Sequence, residues 1–142
     1  MLWPFGKKKN GAEDARHRAG KWGEQQAERH LRGLGFGILA RRFRVGRRDE
    51  IDLIARDGDT LVFVEVKTRA SEEFGAPIAS VKGGKRHALS RAAIRYMMQM
   101  RSKPDYFRFD VVEVIGAEGR GTPEIRHTPN AFTLHPDYNV PW

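Results

Sequence analysis

Cysteine is absent from this 142-residue chain. Disulfides, thiolate zinc sites, iron–sulfur clusters and cysteine nucleophiles are therefore excluded. Long apolar runs are absent as well, since no stretch approaches the roughly 20 apolar residues that a membrane-spanning helix needs. The first nine residues have too short an apolar core for a secretory signal, and their positive charge follows that core. We therefore expect a cytoplasmic protein without a membrane partner.

Acidic residues are missing from one long segment of a strongly basic chain. The 26 Lys and Arg exceed the 18 Asp and Glu, which gives a net charge of +8. Residues 1–48 carry +9 and residues 74–104 carry +7 without a single acid, whereas residues 49–73 carry −5. Basic segments that flank an acidic centre are typical of a nucleic-acid binder. A basic face that docks an acidic protein is another interpretation that this pattern leaves open.

Apolar spacing and turn residues divide the chain into an arm, one domain and a tail. Residues 1–11 are predicted to form a flexible basic arm, residues 12–135 a single domain and residues 136–142 a C-terminal tail. Within the domain we predict two helices and five strands, the helices at 12–34 and 85–100 and the strands at 36–44, 50–55, 61–67, 106–115 and 124–127. This order predicts an α/β fold, in which helices flank a mixed central sheet of about five strands.

The strand at 61–67 ends in charged residues. Its side chains alternate, so that three valines occupy one face and Leu61, Phe63, Glu65 and Lys67 the other. A strand that is apolar on both faces is expected at the centre of a sheet. Charges buried there must be paired or bind a cation, so Glu65 and Lys67 are the first candidates for a functional site.

A predicted hairpin brings a second carboxylate to Glu65. If Asp57-Gly58 is a two-residue loop, Asp52 lies diagonal to Glu65, and a four-residue loop would place the two acids directly opposite each other. Either register lets the two carboxylates share one ion. Oxygen ligands without cysteine or a histidine pair suit a hard cation, so we predict a magnesium or manganese site at Asp52 and Glu65.

Two further acids lie near this pair in the predicted fold. Glu24 shares a helical face with apolar residues, which favours a functional role beside Asp52. A charge placed against the helix dipole is the structural alternative for Glu24. Glu50 lies on the strand face of Asp52, and we interpret it either as a reserve metal ligand or as a rim charge paired with Arg47 or Arg48.

The histidines and four of the aromatic residues show no functional pattern. The five histidines form no i, i+4 pair and no His-x-His motif, so we interpret them as surface or capping residues. Asp110 is interpreted as structural, paired near Arg108 or with a helix end. Four aromatic residues are predicted to lie in the core, namely Trp22, Tyr96, Phe107 and Phe109.

The residues around the predicted hairpin resemble a known family. The run Glu50–Arg69 reads EIDLIARDGDTLVFVEVKTR, and it is preceded by Gly23-Glu24 and followed by Arg108-Phe109-Asp110. Over about residues 20–133 the chain resembles the YraN-like family of small bacterial proteins. That family is similar to the PD-(D/E)xK nuclease superfamily, particularly to the archaeal Holliday junction resolvases. Ile51 stands where the superfamily's name has proline.

The resemblance implies a restriction-endonuclease-like core and metal-dependent cleavage of a phosphodiester. The superfamily pattern carries over to the catalytic candidates Glu24, Asp52, Glu65 and Lys67. Asp52 and Glu65 would hold one or two Mg²⁺ or Mn²⁺ ions, and Lys67 would orient water or neutralise the charge that develops on the phosphate. The nucleic-acid-binding candidates are Arg41, Arg42, Arg44, Lys82 and Lys85.

These observations leave more than one function open. The first is a metal-dependent nuclease-like protein that binds and cleaves structured or branched DNA. The second is a non-catalytic nucleic-acid-binding module that keeps the nuclease fold, and the adaptor for an acidic protein is the third. DNA is favoured over RNA as the partner, and the oligomeric state stays open between a monomer and a homodimer.

Overall fold

A computed structural model describes residues 11–71 and 83–142 of the chain. The described residues do not include residues 1–10 of the predicted arm. They also do not include residues 72–82, between the third strand and the second helix, to which Lys82 belongs. Within the described residues, the helices and strands follow the predicted order. Their bounds are α1 (Gly11–Gly33), β1 (Gly37–Val45), β2 (Asp49–Asp57), β3 (Thr60–Arg69), α2 (Gly83–Gln99), β4 (Tyr106–Ile115) and β5 (Glu124–Phe132).

The five strands form one mixed sheet in the order β1-β2-β3-β4-β5. Strands β3 and β4 are parallel, and the other neighbouring pairs are antiparallel. A parallel pair needs a crossover connection, and α2 lies on that connection. The predicted α/β architecture is confirmed, and it is consistent with a restriction-endonuclease-like core.

Strand β3 is central, and its two faces enter two apolar clusters. Val62 and Val64 pack in the cluster that contains Ala27 and Leu31 of α1. Phe63, on the other face, packs in the cluster that contains residues of α2. The alternation predicted for this strand is confirmed, and it leaves Glu65 at the end of a fully buried run.

Helix α1 approaches the end of β3 very closely at Gly23. A Cβ added at Gly23 would overlap the Thr68 hydroxyl, whereas one added at Gly20 would meet nothing within 4 Å. Glycine at position 23 therefore sets the distance between α1 and β3. The same helix turn carries Glu24, so this close approach also positions that carboxylate.

Strand β5 is longer than predicted, because it continues through Pro129 and Asn130 to Phe132. The predicted end at His127 is therefore wrong. A proline is tolerated at the edge of a sheet, where its missing N–H has no strand to pair with. Asn130 has a left-handed backbone with φ of 50°, and its N–H donates to the Asp110 carboxylate.

Asp110 is completely buried, and several hydrogen-bond donors contact its carboxylate. Its carboxylate accepts hydrogen bonds from Arg108 and from His127 Nε2, the latter at 2.8 Å. The other ring nitrogen of His127 lies 3.2 Å from His30 Nε2. The structural interpretation of Asp110 agrees with these contacts, but the interpretation of the histidines as surface or capping residues is wrong for His127. A buried carboxylate requires hydrogen-bond donors, and the edge strand β5 supplies two of them to Asp110 through His127 and Asn130.

The last residues of the chain contact α2. The Tyr138 hydroxyl accepts a hydrogen bond from Arg91 and lies 3.2 Å from His87 Nδ1. Val140 packs against the apolar cluster on the α2 side of the sheet. No helix in the described part of the chain is long and apolar enough to cross a membrane.

Candidate active site

Asp52 and Glu65 meet where β2 and β3 stop pairing. The backbone ladder runs from Asp57↔Thr60 to Leu53↔Val64, so the hairpin loop is Gly58-Asp59 and the predicted Asp57-Gly58 loop is wrong. Continued by one residue, this register sets Asp52 opposite Glu65, the closer of the two predicted arrangements. Beyond the ladder the Val66 N–H donates to Asp52 Oδ2 at 2.8 Å.

Asp52 and Glu65 both have raised pKa values. Burial, together with the charge of Glu65, raises the pKa of Asp52 to about 8. Burial also raises the pKa of Glu65, although the nearby Lys85 opposes that shift. Both shifts have the cause expected for neighbouring carboxylates in a site with little water. The pair therefore binds either protons or a cation.

Glu24 and Glu50 join Asp52 on the open side of the site. One carboxylate oxygen from each of the three residues lies within 4.8 Å of the others. Glu24 Oε2 also accepts a hydrogen bond from Arg42 Nε at 2.8 Å. Glu50 pairs with Arg44 at 3.0 Å, so the alternative that paired it with Arg47 or Arg48 named the wrong arginine.

Two lysines approach Glu65 from different elements. Lys67, two residues along β3, is half-buried and forms no ion pair with a carboxylate of residues 11–71 or 83–142. Lys85, in the first turn of α2, places its Nζ 3.1 Å from Glu65 Oε1. The sequence predicted Lys85 only as a phosphate contact. The structure brings it into the carboxylate site itself.

Arg42 has an unusual backbone beside this site. Its φ is 49°, in the left-handed region that side chains other than glycine rarely adopt. It lies between the pairs Arg41↔Leu53 and Phe43↔Ile51, at the level of Asp52 on β2. Strained backbone of this kind is frequent at functional sites. Here it accompanies the ion pair between Arg42 and Glu24.

A basic groove between α1 and β1 adjoins the carboxylates. It has a volume of about 680 Å³, and Leu53 lies among its lining residues. A smaller cavity of about 380 Å³ is lined by Asp52, Glu65 and Glu24, and Glu24 also lines the groove. The charged residues around the groove are Lys21, Glu24, Glu28, Arg29, Arg32, Arg41 and Arg42. Five cations against two acids make this surface suitable for a polyanion.

The predicted nucleic-acid-binding residues do not all line this groove. Arg41 and Arg42 do, although they are paired with Glu28 and Glu24 respectively. Arg44 points to Glu50, and its side chain is 68% exposed. These pairs mean that a phosphate would compete with a carboxylate for each arginine.

Sequence reasoning missed another buried acid, Glu113 on β4. It is 1% exposed and is the register partner of Lys67 on the neighbouring strand. Neither of its carboxylate oxygens has a hydrogen bond within the described part of the chain, and Arg69 lies 3.8 Å away. The sequence did contain a signal for this residue, because Glu113 interrupts the apolar run from Val111 to Ile115.

The donors present fit a hard divalent cation. Glu65 Oε2 is buried and has no hydrogen-bond partner among the described residues, so this oxygen is available to coordinate a cation. Glu24, Glu50 and Asp52 bring their carboxylate oxygens together, Glu65 lines the same cavity as Glu24 and Asp52, and the chain has no cysteine sulfur to offer. Such sets suit Mg²⁺ or Mn²⁺. The fold and the site together define an α/β protein with a restriction-endonuclease-like core and a carboxylate cluster at the end of its central strand.

Comparison with known proteins assigns the chain to a family. The model of "Uncharacterised protein family UPF0102" matches residues 23–114, which include all the predicted catalytic residues. A UPF0102 protein of Geotalea daltonii is 44% identical over 115 residues, which cover 81% of this chain and 89% of that protein. One of Symbiobacterium thermophilum is 48% identical over 104 residues, which cover 72% and 87% respectively. The chain belongs to the UPF0102, or YraN-like, family, and its resemblance to that family is confirmed.

Proposed function

We propose that this protein is a metal-dependent nuclease-like enzyme that binds and cleaves structured or branched DNA. One observation carries the proposal: the half-buried Asp52 and the buried Glu65 line one cavity beside a basic groove, at the end of the central strand. Two adjacent buried acids destabilise a fold unless a cation offsets their charge. A bound divalent ion would offset it, and the basic groove would bring a phosphodiester to it.

Each residue of the cluster has a distinct task in the proposed reaction. Asp52 and Glu65 would hold Mg²⁺ or Mn²⁺, which when bound supplies the charge that activates water and stabilises the phosphate. The hydrogen bond from Val66 N–H holds the Asp52 carboxylate in one orientation. Glu24 lines the same cavity and would orient water there. Lys67 would place its charge beside the reacting phosphate.

The groove would bind the sugar–phosphate backbone rather than the bases. Among the described residues, its lining contains five cations, two glutamates, two glutamines and one leucine, and no aromatic side chain on which a base could stack. Phosphate contacts of this kind carry little sequence information. We therefore expect recognition of nucleic-acid shape, which agrees with a branched substrate.

We also propose where the protein acts and how it assembles. A protein that acts on bacterial DNA is expected in the cytoplasm. A four-way junction has two-fold symmetry, and a homodimer would present two sites to it. Light scattering with and without a junction tests this part of the proposal.

A cleavage screen tests the proposed activity directly. The purified protein is incubated with a four-way junction, a flap, a linear duplex and a single strand, each with Mg²⁺, Mn²⁺ or a chelator. We expect cleavage of the junction or the flap that requires a divalent ion and is lost in Asp52→Asn and Glu65→Gln. Junction binding without cleavage under every condition would favour the non-catalytic module instead. No affinity for any polynucleotide would favour the adaptor.

A further inference from the structure

Lys85 occupies an electrostatically unfavourable position on its own helix. It lies in the first turn of α2, which contains no acidic residue. Positive charge at the N-terminal end of a helix is disfavoured by the helix dipole. The Lys85 ammonium therefore gains its stabilisation from Glu65, 3.1 Å away, rather than from α2.

One ammonium group does not satisfy the acids that it faces. Lys85 contacts Glu65 Oε1, while Oε2 of the same carboxylate is buried and, among the described residues, has no hydrogen bond. Asp52 adds a second, half-buried carboxylate, whose hydrogen bond comes from a neutral backbone N–H. The negative charge that Asp52 and Glu65 carry when both are ionised therefore exceeds the single positive charge of Lys85.

A divalent ion and the Lys85 ammonium cannot both sit on the Glu65 carboxylate without strong repulsion. Like charges a few ångströms apart repel strongly where water is scarce. Lysine has a flexible four-carbon stem, and the Lys85 side chain is 45% exposed, so it is free to swing toward the surface. Glu65 is buried and Asp52 is held by the Val66 N–H, so neither carboxylate has comparable freedom.

We propose that Lys85 is the resident counter-ion of the metal site: its ammonium holds Glu65 when no divalent ion is bound, leaves Glu65 when one binds, and then contacts substrate phosphate. This inference rests on the proposed function, because it requires the metal site. Binding of the metal ion would release the Lys85 ammonium, which could then contact a substrate phosphate. Metal and nucleic acid would therefore strengthen each other's binding.

Metal affinity without nucleic acid tests the first half of this proposal. Mn²⁺ is titrated by calorimetry into the full-length wild type, Lys85→Met and Arg95→Met. Arg95 is an exposed cation on the same helix, about 15 Å further along it, so its variant controls for the loss of one charge. We expect Lys85→Met to bind Mn²⁺ about tenfold more tightly and Arg95→Met to change affinity less than twofold. Unchanged or weaker binding by Lys85→Met would overturn the inference.

Junction affinity tests the second half. It is measured with Ca²⁺, a hard ion chosen to limit cleavage, and again with a chelator. We expect Lys85→Met to weaken junction binding about tenfold with Ca²⁺ and less than twofold with the chelator. Equal weakening under both conditions would show that Lys85 contacts phosphate without being released by metal, and would contradict the proposal. If neither the wild type nor Lys85→Met bound Mn²⁺, the proposed metal site itself would be wrong.

Discussion

The Asp52 carboxylate accepts a 2.8 Å hydrogen bond from the backbone N–H of Val66, just beyond the last backbone pair of β2 and β3. This bond holds Asp52 beside Glu65, although two neighbouring acids repel each other. An asparagine at position 52 can accept the same bond through its amide oxygen. The change Asp52→Asn therefore removes the charge and keeps the contact, which makes it a clean probe of the site.

We expect Asp52→Asn to raise the stability of the metal-free protein. The variant removes an acid whose ionisation is opposed by desolvation and by the charge of Glu65. We expect the free energy of unfolding to rise by about 1–3 kcal/mol, the size that is usual for single substitutions. Mg²⁺ or Mn²⁺ should raise the melting temperature of the wild type but not that of Asp52→Asn with Glu65→Gln. A full metal-dependent shift in this double variant would place the ion elsewhere.

Metal-free stability should also depend on pH in one direction. The pKa of Asp52 is about 8 in the folded protein and about 4 in an unfolded chain. Between these values the folded state holds a proton that the unfolded state has lost, so the stability present below about pH 4 is lost as the pH rises through about 8. Urea denaturation with a chelator from pH 5 to pH 8 should show this decline. The decline should be much smaller in Asp52→Asn, and a flat wild-type curve would contradict the shifted pKa.

Gly23 should be far less replaceable than Gly20. A Cβ at position 23 would overlap the Thr68 hydroxyl, and moving α1 away would also displace Glu24. Gly23→Ala should cost about 1–3 kcal/mol of stability, as overpacking usually does. Gly20→Ala, on the same helix with open space around it, should be neutral or stabilising by about 0.5–1 kcal/mol. Thermal denaturation compares the two variants, and equal effects would mean that the close approach is not required.

Local patterns in the sequence predict the fold well and the lysine and arginine contacts poorly. The alternation in β3 predicts a central strand, because burial on both faces leaves an apolar signature within seven residues. The contact of Lys85 with Glu65 joins a helix to a strand 20 positions earlier, and it depends on where the crossover places α2. The contact of Arg42 with Glu24 depends on a left-handed arginine, which no local pattern predicts.

Arg41 and Arg44 are the arginines with which the nucleic-acid surface is best tested. Arg42 is left intact because it holds Glu24. If both arginines contact phosphate, Arg41→Gln with Arg44→Gln should weaken junction binding similarly for all base sequences. The slope of log affinity against log salt should become less negative by about 0.9 for each lost contact. An unchanged slope would remove these two residues from the binding surface.

Lys67 separates the enzyme from the non-catalytic module. It lies two residues after Glu65 on the same strand and, within the described residues, is held by no carboxylate, so its charge is free to act on substrate. If Lys67 stabilises only the transition state, Lys67→Ala should lower the cleavage rate by about a hundredfold or more and leave junction affinity within a few fold. A binding module would show the reverse, with lost affinity and no rate to lose.

Lys67→Arg is the informative control for this experiment. Arginine keeps the positive charge, but its longer and planar head cannot occupy the point in space that an ammonium does. We expect Lys67→Arg to bind the junction as the wild type does and to regain cleavage only in part, since a transition-state contact depends on position as well as charge. Cleavage by Lys67→Ala at the wild-type rate would show that Lys67 has no part in the reaction, and the Glu-x-Lys pattern would then be a feature of the fold alone.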